Sequence, residues 1–136
     1  MTITFTVPGP PRGKGRPRFT KTGHAYTPEE TASYENLVRL AYQQTAKGAR
    51  LAGPVTMRIA ARMPIPASLS AKRKAQISGT PHVKKPDSTN MQKAVEDGIL
   101  GVAYHDDSSV WTTSFCKVYC PDGEEVGLTV TLTDDL

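Results

Sequence analysis

This sequence is short of sulfur, of aromatic rings and of long apolar runs, and each shortage narrows what the chain does. Its 136 residues hold two cysteines, Cys116 and Cys120. They stand four apart in a stretch that reads as a strand, where they would lie about 13 Å apart, too far for a disulfide. No second Cys or His pair at matching spacing accompanies them, so they do not make a zinc site. Free, buried or half-buried thiols in a reducing cytoplasm are expected. No stretch approaches the roughly 20 apolar residues of a membrane span. The N-terminus has no basic-then-apolar leader pattern, so neither a membrane partner nor secretion is expected. A GxxxxGK[ST] phosphate loop is missing too, because Lys14 is followed by Gly15. No small-molecule cofactor, internal repeat or low-complexity linker is apparent. A chain of this length is expected to form one domain, 1–136.

The most informative shortage is of acids in the first part. Residues 1–85 carry 15 of the 17 Lys and Arg but only three of the 13 acids, Glu29, Glu30 and Glu35. That part is net +12 and residues 86–136 are net −8, which together give the overall +4. A basic half suited to polyanions, joined to an acidic half suited to cations, fits a metal-dependent enzyme acting on nucleic acid.

Along the chain, Thr2 to Val7 alternates as a strand. Pro8-Gly9-Pro10-Pro11-Arg12-Gly13-Lys14-Gly15-Arg16-Pro17-Arg18 cannot be regular structure, and its prolines stiffen it. It reads as a backbone clamp with Lys14, Arg16 and Arg18 on phosphates. A small hairpin turning at Thr22-Gly23 follows. Thr27-Pro28-Glu29-Glu30 signals a helix start with Thr27 as its cap. That helix is expected to run to about Lys47, with Tyr34, Leu37, Val38, Ala41 and Thr45 inward. Val55 to Met63 alternates as a strand. A short basic helix from Ser68 or Ser70 to about Ser78 offers Lys72 and Arg73 as further phosphate contacts. Ser109 to Tyr119 and Val126 to Thr133 read as strands, the two forming a hairpin, and Asp134 to Leu136 as a frayed tail. His24, His82 and His105 each stand alone and read as surface or satisfied histidines. The expected class is α+β, with mixed α/β order: one mixed sheet with flanking helices.

The chemistry concentrates between Lys84 and Val110. Met91, Ala94, Val95, Gly98, Ile99 and Val102 follow the spacing of a buried helical stripe, while Asn90, Lys93 and Asp97 share another. Pro86 bars a helix from running in from upstream. Asp87 therefore sits at a helix mouth, and Asp106-Asp107 in the chain that returns from it. Two acidic points separated by one helix suit a hard divalent cation, which takes oxygen ligands and keeps several waters. Lys93 is placed to meet a phosphate or to help a water lose its proton. Lys84 and Lys85, just ahead of Asp87, extend the basic surface to the site.

The run Lys85-Pro86-Asp87-Ser88-Thr89-Asn90-Met91-Gln92-Lys93, then Asp97-Gly98-Ile99-Leu100-Gly101-Val102, then Tyr104-His105-Asp106-Asp107, resembles the core pattern of the RusA family of Holliday-junction resolvases. The opening strand, Pro8-Gly9-Pro10-Pro11, Lys14 and Arg16-Pro17-Arg18 resemble that family's start. The likeness spans about Thr4 to Thr131. It implies a small mixed α/β fold, a homodimer, dependence on Mg²⁺ (with Mn²⁺ as a substitute) and paired nicking of four-way DNA junctions in recombination and repair. It also implies a phage or prophage setting. By position, the family's catalytic and metal-binding acids fall on Asp87 and Asp107 and its essential lysine on Lys93. The family's D-x-D becomes Asp87-Ser88-Thr89 here, so one expected carboxylate is a hydroxyl. Thr89 suits a helix cap, with Gln92 three residues on. Three outcomes stand open: Asp106 or Asp97 supplies the missing oxygen, Thr89 binds metal directly or through water, or the protein binds junctions and cuts poorly.

Overall fold

In the computed structural model, which describes residues 1–135, the chain opens with strand β1 (Thr2–Pro8). Its alternation is realised directly: Ile3, Phe5 and Val7 are buried and the threonines between them are exposed. A miniature hairpin, β2 (Arg18–Phe19) and β3 (Ala25–Tyr26), turns at Gly23, whose φ of 86° suits a residue without Cβ. Helix α1 (Glu29–Ala46), strand β4 (Val55–Met63), helix α2 (Ala71–Ile77), helix α3 (Ser88–Ile99), strand β5 (Val110–Tyr119) and strand β6 (Gly127–Thr133) follow. A single 3-10 turn, Asp107–Ser109, leads into β5.

The sheet runs β1-β6-β4-β5, with β6 antiparallel to both neighbours and β4 parallel to β5. The expected α+β class with one mixed sheet therefore holds. The expected hairpin between the last two strands does not form, because β4 lies between them. The apolar pattern explains why: β6 buries Leu128, Val130 and Leu132 and takes an inner place, whereas β5 exposes Trp111, Thr112, Ser114 and Cys116 and takes an edge. A parallel pair needs a long crossover. Residues 64–109 supply it, and α3 is its main helix.

Helices α1 and α3 cover one face of the sheet. Met91, Ala94, Val95 and Ile99 of α3 meet Tyr34, Val38 and Ala41 of α1 in the core, over Met57, Ile59 and Phe5. The helices cross at Gly98, where a Cβ would stand 2.9 Å from the Glu35 carbonyl oxygen and 3.0 Å from Val38 Cβ. Arg39 of α1 donates to the carbonyls of Gly98 (3.1 Å) and Leu100 (3.0 Å), satisfying the C-terminal end of α3. The opposite face of the sheet is polar, with hydroxyl pairs Thr2–Thr133 and Thr4–Thr131 at 3.1 and 3.2 Å.

Several local expectations shift. Helix α1 is capped by Pro28 rather than Thr27, and the expected Thr27–Glu30 box does not form. Its inner stripe takes Tyr42 in place of Thr45, which is exposed. The Tyr42 ring meets Phe5 edge-on and its hydroxyl donates to the Ala49 carbonyl at 2.6 Å, a better use of a buried position than a threonine offers. Ser70 caps α2 as expected, accepting from the Arg73 N–H. Asp134 and Asp135 are not frayed, since both accept from the Met1 amine and Asp134 also accepts from the Ala52 N–H. Leu136 lies outside the described residues. Cys116 and Cys120 are free thiols, as expected, but only Cys120 is buried; Cys116 is exposed on the edge strand β5.

Candidate active site

Helix α3 starts just after Pro86 with Asp87 at its mouth, as expected. Asp87 is its cap residue, in extended conformation, and its carbonyl already accepts from the Met91 N–H at 3.1 Å. Thr89 is therefore the second residue of the helix, exposed, and not its cap. The Thr89–Gln92 capping box does not form; Gln92 instead donates to Glu96 Oε1 at 3.0 Å. The approach to Asp87 is held from β5. The Lys117 ammonium donates to the carbonyls of Lys84 (2.5 Å) and Pro86 (2.8 Å), fixing the segment that delivers Asp87. His82, upstream in the same segment, is buried against the Tyr119 ring. Burial, with the nearby Lys117 and Lys84 charges, lowers its pKa.

One flank of α3 carries a cluster of paired charges. The N-terminal loop crosses the start of the helix, with the Lys14 N–H donating to the Asn90 carbonyl at 3.0 Å. The glycines on either side of Lys14 make the crossing close. A Cβ on Gly13 would stand 3.1 Å from Asn90 Cβ and Pro86 Cβ, and one on Gly15 would stand 2.8 Å from Thr31 Oγ1. This path turns the Lys14 side chain inward, where its ammonium is bonded to Asp97 Oδ2 and, at 3.2 Å, to Glu35 Oε1. Burial alone would lower the Lys14 pKa, but the bonds to Asp97 and Glu35 outweigh it and raise it. Asp97 also faces Lys93 Nζ at 3.5 Å through Oδ1, so both its oxygens are engaged by ammonium groups.

The other flank is unpaired. Asp107 is half-buried, and its Oδ1 is shut off from solvent with no hydrogen-bond partner. It stands beside the hydroxyl of Tyr104, a buried residue whose O–H approaches the Glu96 carbonyl at 3.4 Å. Burial, then the charges of Asp107 and Glu96, push the Tyr104 pKa far up and keep the phenol neutral. Asp107 is thereby set against the C-terminal half of α3. Asp87 stands at the other end, with about 13 Å of helix axis between it and Glu96 at 1.5 Å per residue. Between the ends, Thr89, Lys93 and Glu96 fall at i, i+4 and i+7 and form one stripe. Among the described residues, no three His, Cys, Asp or Glu side chains are grouped closely enough to share a metal ion.

The remaining residues singled out from the sequence divide by position. Asp106 is exposed and caps the 3-10 turn, its Oδ1 accepting from the Ser108 N–H at 3.1 Å, which holds its carboxyl below the usual range. Arg16, Arg18, Lys84 and Lys85 are exposed around the mouth of α3. Lys85, Arg16 and Asp87 line a cleft of about 540 Å³ there, and a neighbouring groove of about 600 Å³ is lined by Arg12, Arg16 and Arg18. Lys72 and Arg73 are exposed on α2, which follows the end of β4 that pairs with Tyr119. That places them at the opposite end of β5 from Asp107. Sequence reasoning passed over Arg12, Lys117 and Glu96. Lys117 had a signal, an ammonium sharing a strand face with Phe115. Glu96 had one as well, being the acid on the Thr89 stripe.

The comparisons with known proteins follow this geometry. Residues 8–133 match the family model described as "Endodeoxyribonuclease RusA". The chain is 33% identical over 124 residues to the "Uncharacterized protein YqaN" of Bacillus subtilis (strain 168), covering 86% of this chain and 87% of that protein. The match takes in the crossover helix, its approach loop and the Asp107 turn together, and by it the chain belongs to the RusA family of endodeoxyribonucleases, hydrolases that act on DNA.

Proposed function

We propose that this protein resolves four-way DNA junctions by paired symmetric nicks, with Mg²⁺ as its cofactor, or Mn²⁺ in its place, and a homodimer as its working form. The observation that carries the reading is Asp107 Oδ1, a buried carboxylate oxygen with no partner beside the helix that carries Lys93. A stranded anion of this kind costs about 1–3 kcal/mol. It fits a hard cation, and the donors around it are oxygens, which such ions prefer. Asp107 would hold the ion, with Asp106 adjoining it in sequence as a further donor; Asp87 and Thr89, the family motif's other donor positions, stand at the opposite end of α3. A bound divalent ion supplies an acidified water and offsets charge on the phosphate in transition.

The chain's own groups do the rest. Lys93, 53% exposed and tethered only at 3.5 Å to Asp97, is free to meet a phosphate oxygen as a point charge. Arg12, Arg16, Arg18 and Lys85 line the grooves that lead to Asp87 and suit the two backbones of a junction arm, while Lys72, Arg73 and Lys84 extend the basic surface. A twofold dimer would present equivalent sites to a roughly twofold junction, which accounts for a two-strand cut. The test is cleavage of a synthetic four-way junction with Mg²⁺, beside a duplex of the same sequence. Junction-selective nicking that disappears in Asp87→Asn and Asp107→Asn supports the reading; undiminished cutting by both variants contradicts it.

A second reading has one observation in its favour. Thr89 is an exposed hydroxyl where the family pattern has an acid, and the described residues hold no three-acid cluster. On that reading the protein binds junctions and cuts poorly. A large gain in cutting by Thr89→Asp distinguishes it.

A further inference from the structure

The hairpin of β2 and β3 carries aromatic rings that the core does not use. Every residue from Arg16 to Thr27 is exposed. Phe19 is 70% exposed and Tyr26 48%, so neither ring adds much burial to the fold. The hairpin is nevertheless well fixed. At its base the Gly15 N–H donates to Thr31 Oγ1 at 2.9 Å, and Pro28 is buried where the chain returns. At its tip the Thr20 N–H donates to the His24 carbonyl and the Gly23 N–H to the Thr20 carbonyl, both at 2.9 Å. The Thr20 hydroxyl also accepts from the His24 N–H at 3.1 Å. Across the strands Arg18 pairs with Tyr26 and Phe19 with Ala25. Adjacent strand positions face opposite ways, so Phe19 is set against the small Ala25, which leaves its ring uncovered.

The charge around that ring is of one sign. No acid occurs between Met1 and Pro28, while Arg16, Arg18 and Lys21 are exposed on or beside the hairpin. Arg16 and Arg18 also line the groove that adjoins the cleft containing Asp87. A cationic arm beside a nuclease site fits a polyanion, and an exposed ring on that arm fits the bases within it.

We propose that Phe19 stacks on a nucleobase face left uncovered at the branch point of the DNA, as a specificity-determining residue. In a duplex every base is covered on both faces by its neighbours. Where arms part at a branch, the pair at the end of an arm loses one neighbour. An aromatic ring can take the vacant place whatever the base, because every base has a π-face. Arg16, Arg18 and Lys21 meet phosphates, which duplex and branched DNA share, so they hold the DNA without telling the two apart. This rests on the four-way-junction reading above and names the group that recognises the branch.

The experiment measures binding of the full chain by fluorescence anisotropy, in a chelator, to a four-way junction, a duplex of the same sequence and a single strand. Phe19→Ala is expected to bind the junction about tenfold or more weakly, with duplex affinity little changed. Phe19→Leu, which is apolar but has no π-face, should lose the same factor, and Phe19→Trp should lose nothing. Arg18→Gln should weaken junction and duplex alike and lower the salt dependence of both. Leu40→Ala, which removes an exposed apolar side chain from α1, is the control and should bind the junction as the wild type does. The chain has a single tryptophan, Trp111. In a Trp111→Phe background the emission of Phe19→Trp should therefore fall on adding junction and not on adding duplex. The melting temperatures of the Phe19 variants should match the wild type. Unchanged junction affinity in Phe19→Ala, an equal loss on junction and duplex, or full binding by Phe19→Leu overturns the inference. A junction preference that survives in Phe19→Ala leaves the junction reading in place and removes only the inference. A wild type that binds junction and duplex alike, with single-strand affinity lost in Phe19→Ala, supports stacking on uncovered bases while removing the junction reading.

Discussion

The two flanks of α3 carry similar numbers of charges and treat them in opposite ways. On the Lys14 flank every charged group has a partner. Lys14 joins Glu35 and Asp97, Asp97 also faces Lys93, and two tight glycine contacts fix the loop that brings Lys14 in. On the Asp107 flank one carboxylate oxygen is buried without a partner, beside the buried hydroxyl of Tyr104. Paired charges in a half-buried setting hold the loop, α1 and α3 together. An unpartnered buried oxygen costs stability, and on the proposed function a bound cation offsets that cost. On the proposed function the difference gives architecture to one flank and chemistry to the other, although both contain residues of the same motif.

The comparison can be broken most sharply from the chemical side. A divalent cation should raise the melting temperature of the wild type, by about 2.7 kcal/mol of stability at a hundred times its dissociation constant. In Asp107→Asn that cation-dependent rise should vanish, while the cation-free protein gains about 1 kcal/mol from losing a stranded anion. Differential scanning with Mg²⁺ and with a chelator checks both halves. The structural flank should respond in the opposite sense. Lys14→Met leaves Asp97 and Glu35 facing each other half-buried and should lower stability by about 1–3 kcal/mol, read from urea midpoints, with or without cation.

Next in size is the helix crossing. Gly98→Ala gains about 1 kcal/mol of helix propensity but drives a methyl against the Glu35 carbonyl and Val38, so a net loss of about 1–2 kcal/mol is expected in the same urea assay. The smallest effect belongs to His82. Its folded pKa lies below the ordinary 6.5, so the neutral form is the native one. The unfolded chain takes up the proton first as pH falls, and this contribution to stability is present above pH 6.5 and is lost as pH drops through the folded pKa. His82→Asn should flatten the stability profile on the acid side of pH 6.5, measured by thermal melts at fixed ionic strength.

Much of the fold was legible because its signals were local. The alternation of Val55 to Met63 places β4 to the residue, and the buried stripe places α3, although the helix ends at Ile99, short of Val102. Strand order was not legible, since nothing in β5 or β6 alone says that β4 lies between them. The helix caps slipped because Asp87 and Thr89 are both good N-cap residues and only the approach loop, tied down by Lys117, decides between them. The same holds at the site. Asp87, Lys93 and Asp107 stood out from spacing and resemblance, while the inward turn of Lys14 depends on contacts from Thr31, Glu35 and Asp97, which are distant in sequence. An orphaned oxygen such as Asp107 Oδ1 can be seen only once the chain around it has folded.

The most direct test of the division between the flanks is single-turnover cleavage of a four-way junction in Mg²⁺ by Asp107→Asn and by Lys14→Met, both assayed well below their unfolding midpoints. The account predicts a loss of about a thousandfold or more for Asp107→Asn, roughly 4 kcal/mol of transition-state stabilisation, and a far smaller loss for Lys14→Met. Near-wild-type cutting by Asp107→Asn, or an equal collapse in folded Lys14→Met, would contradict it.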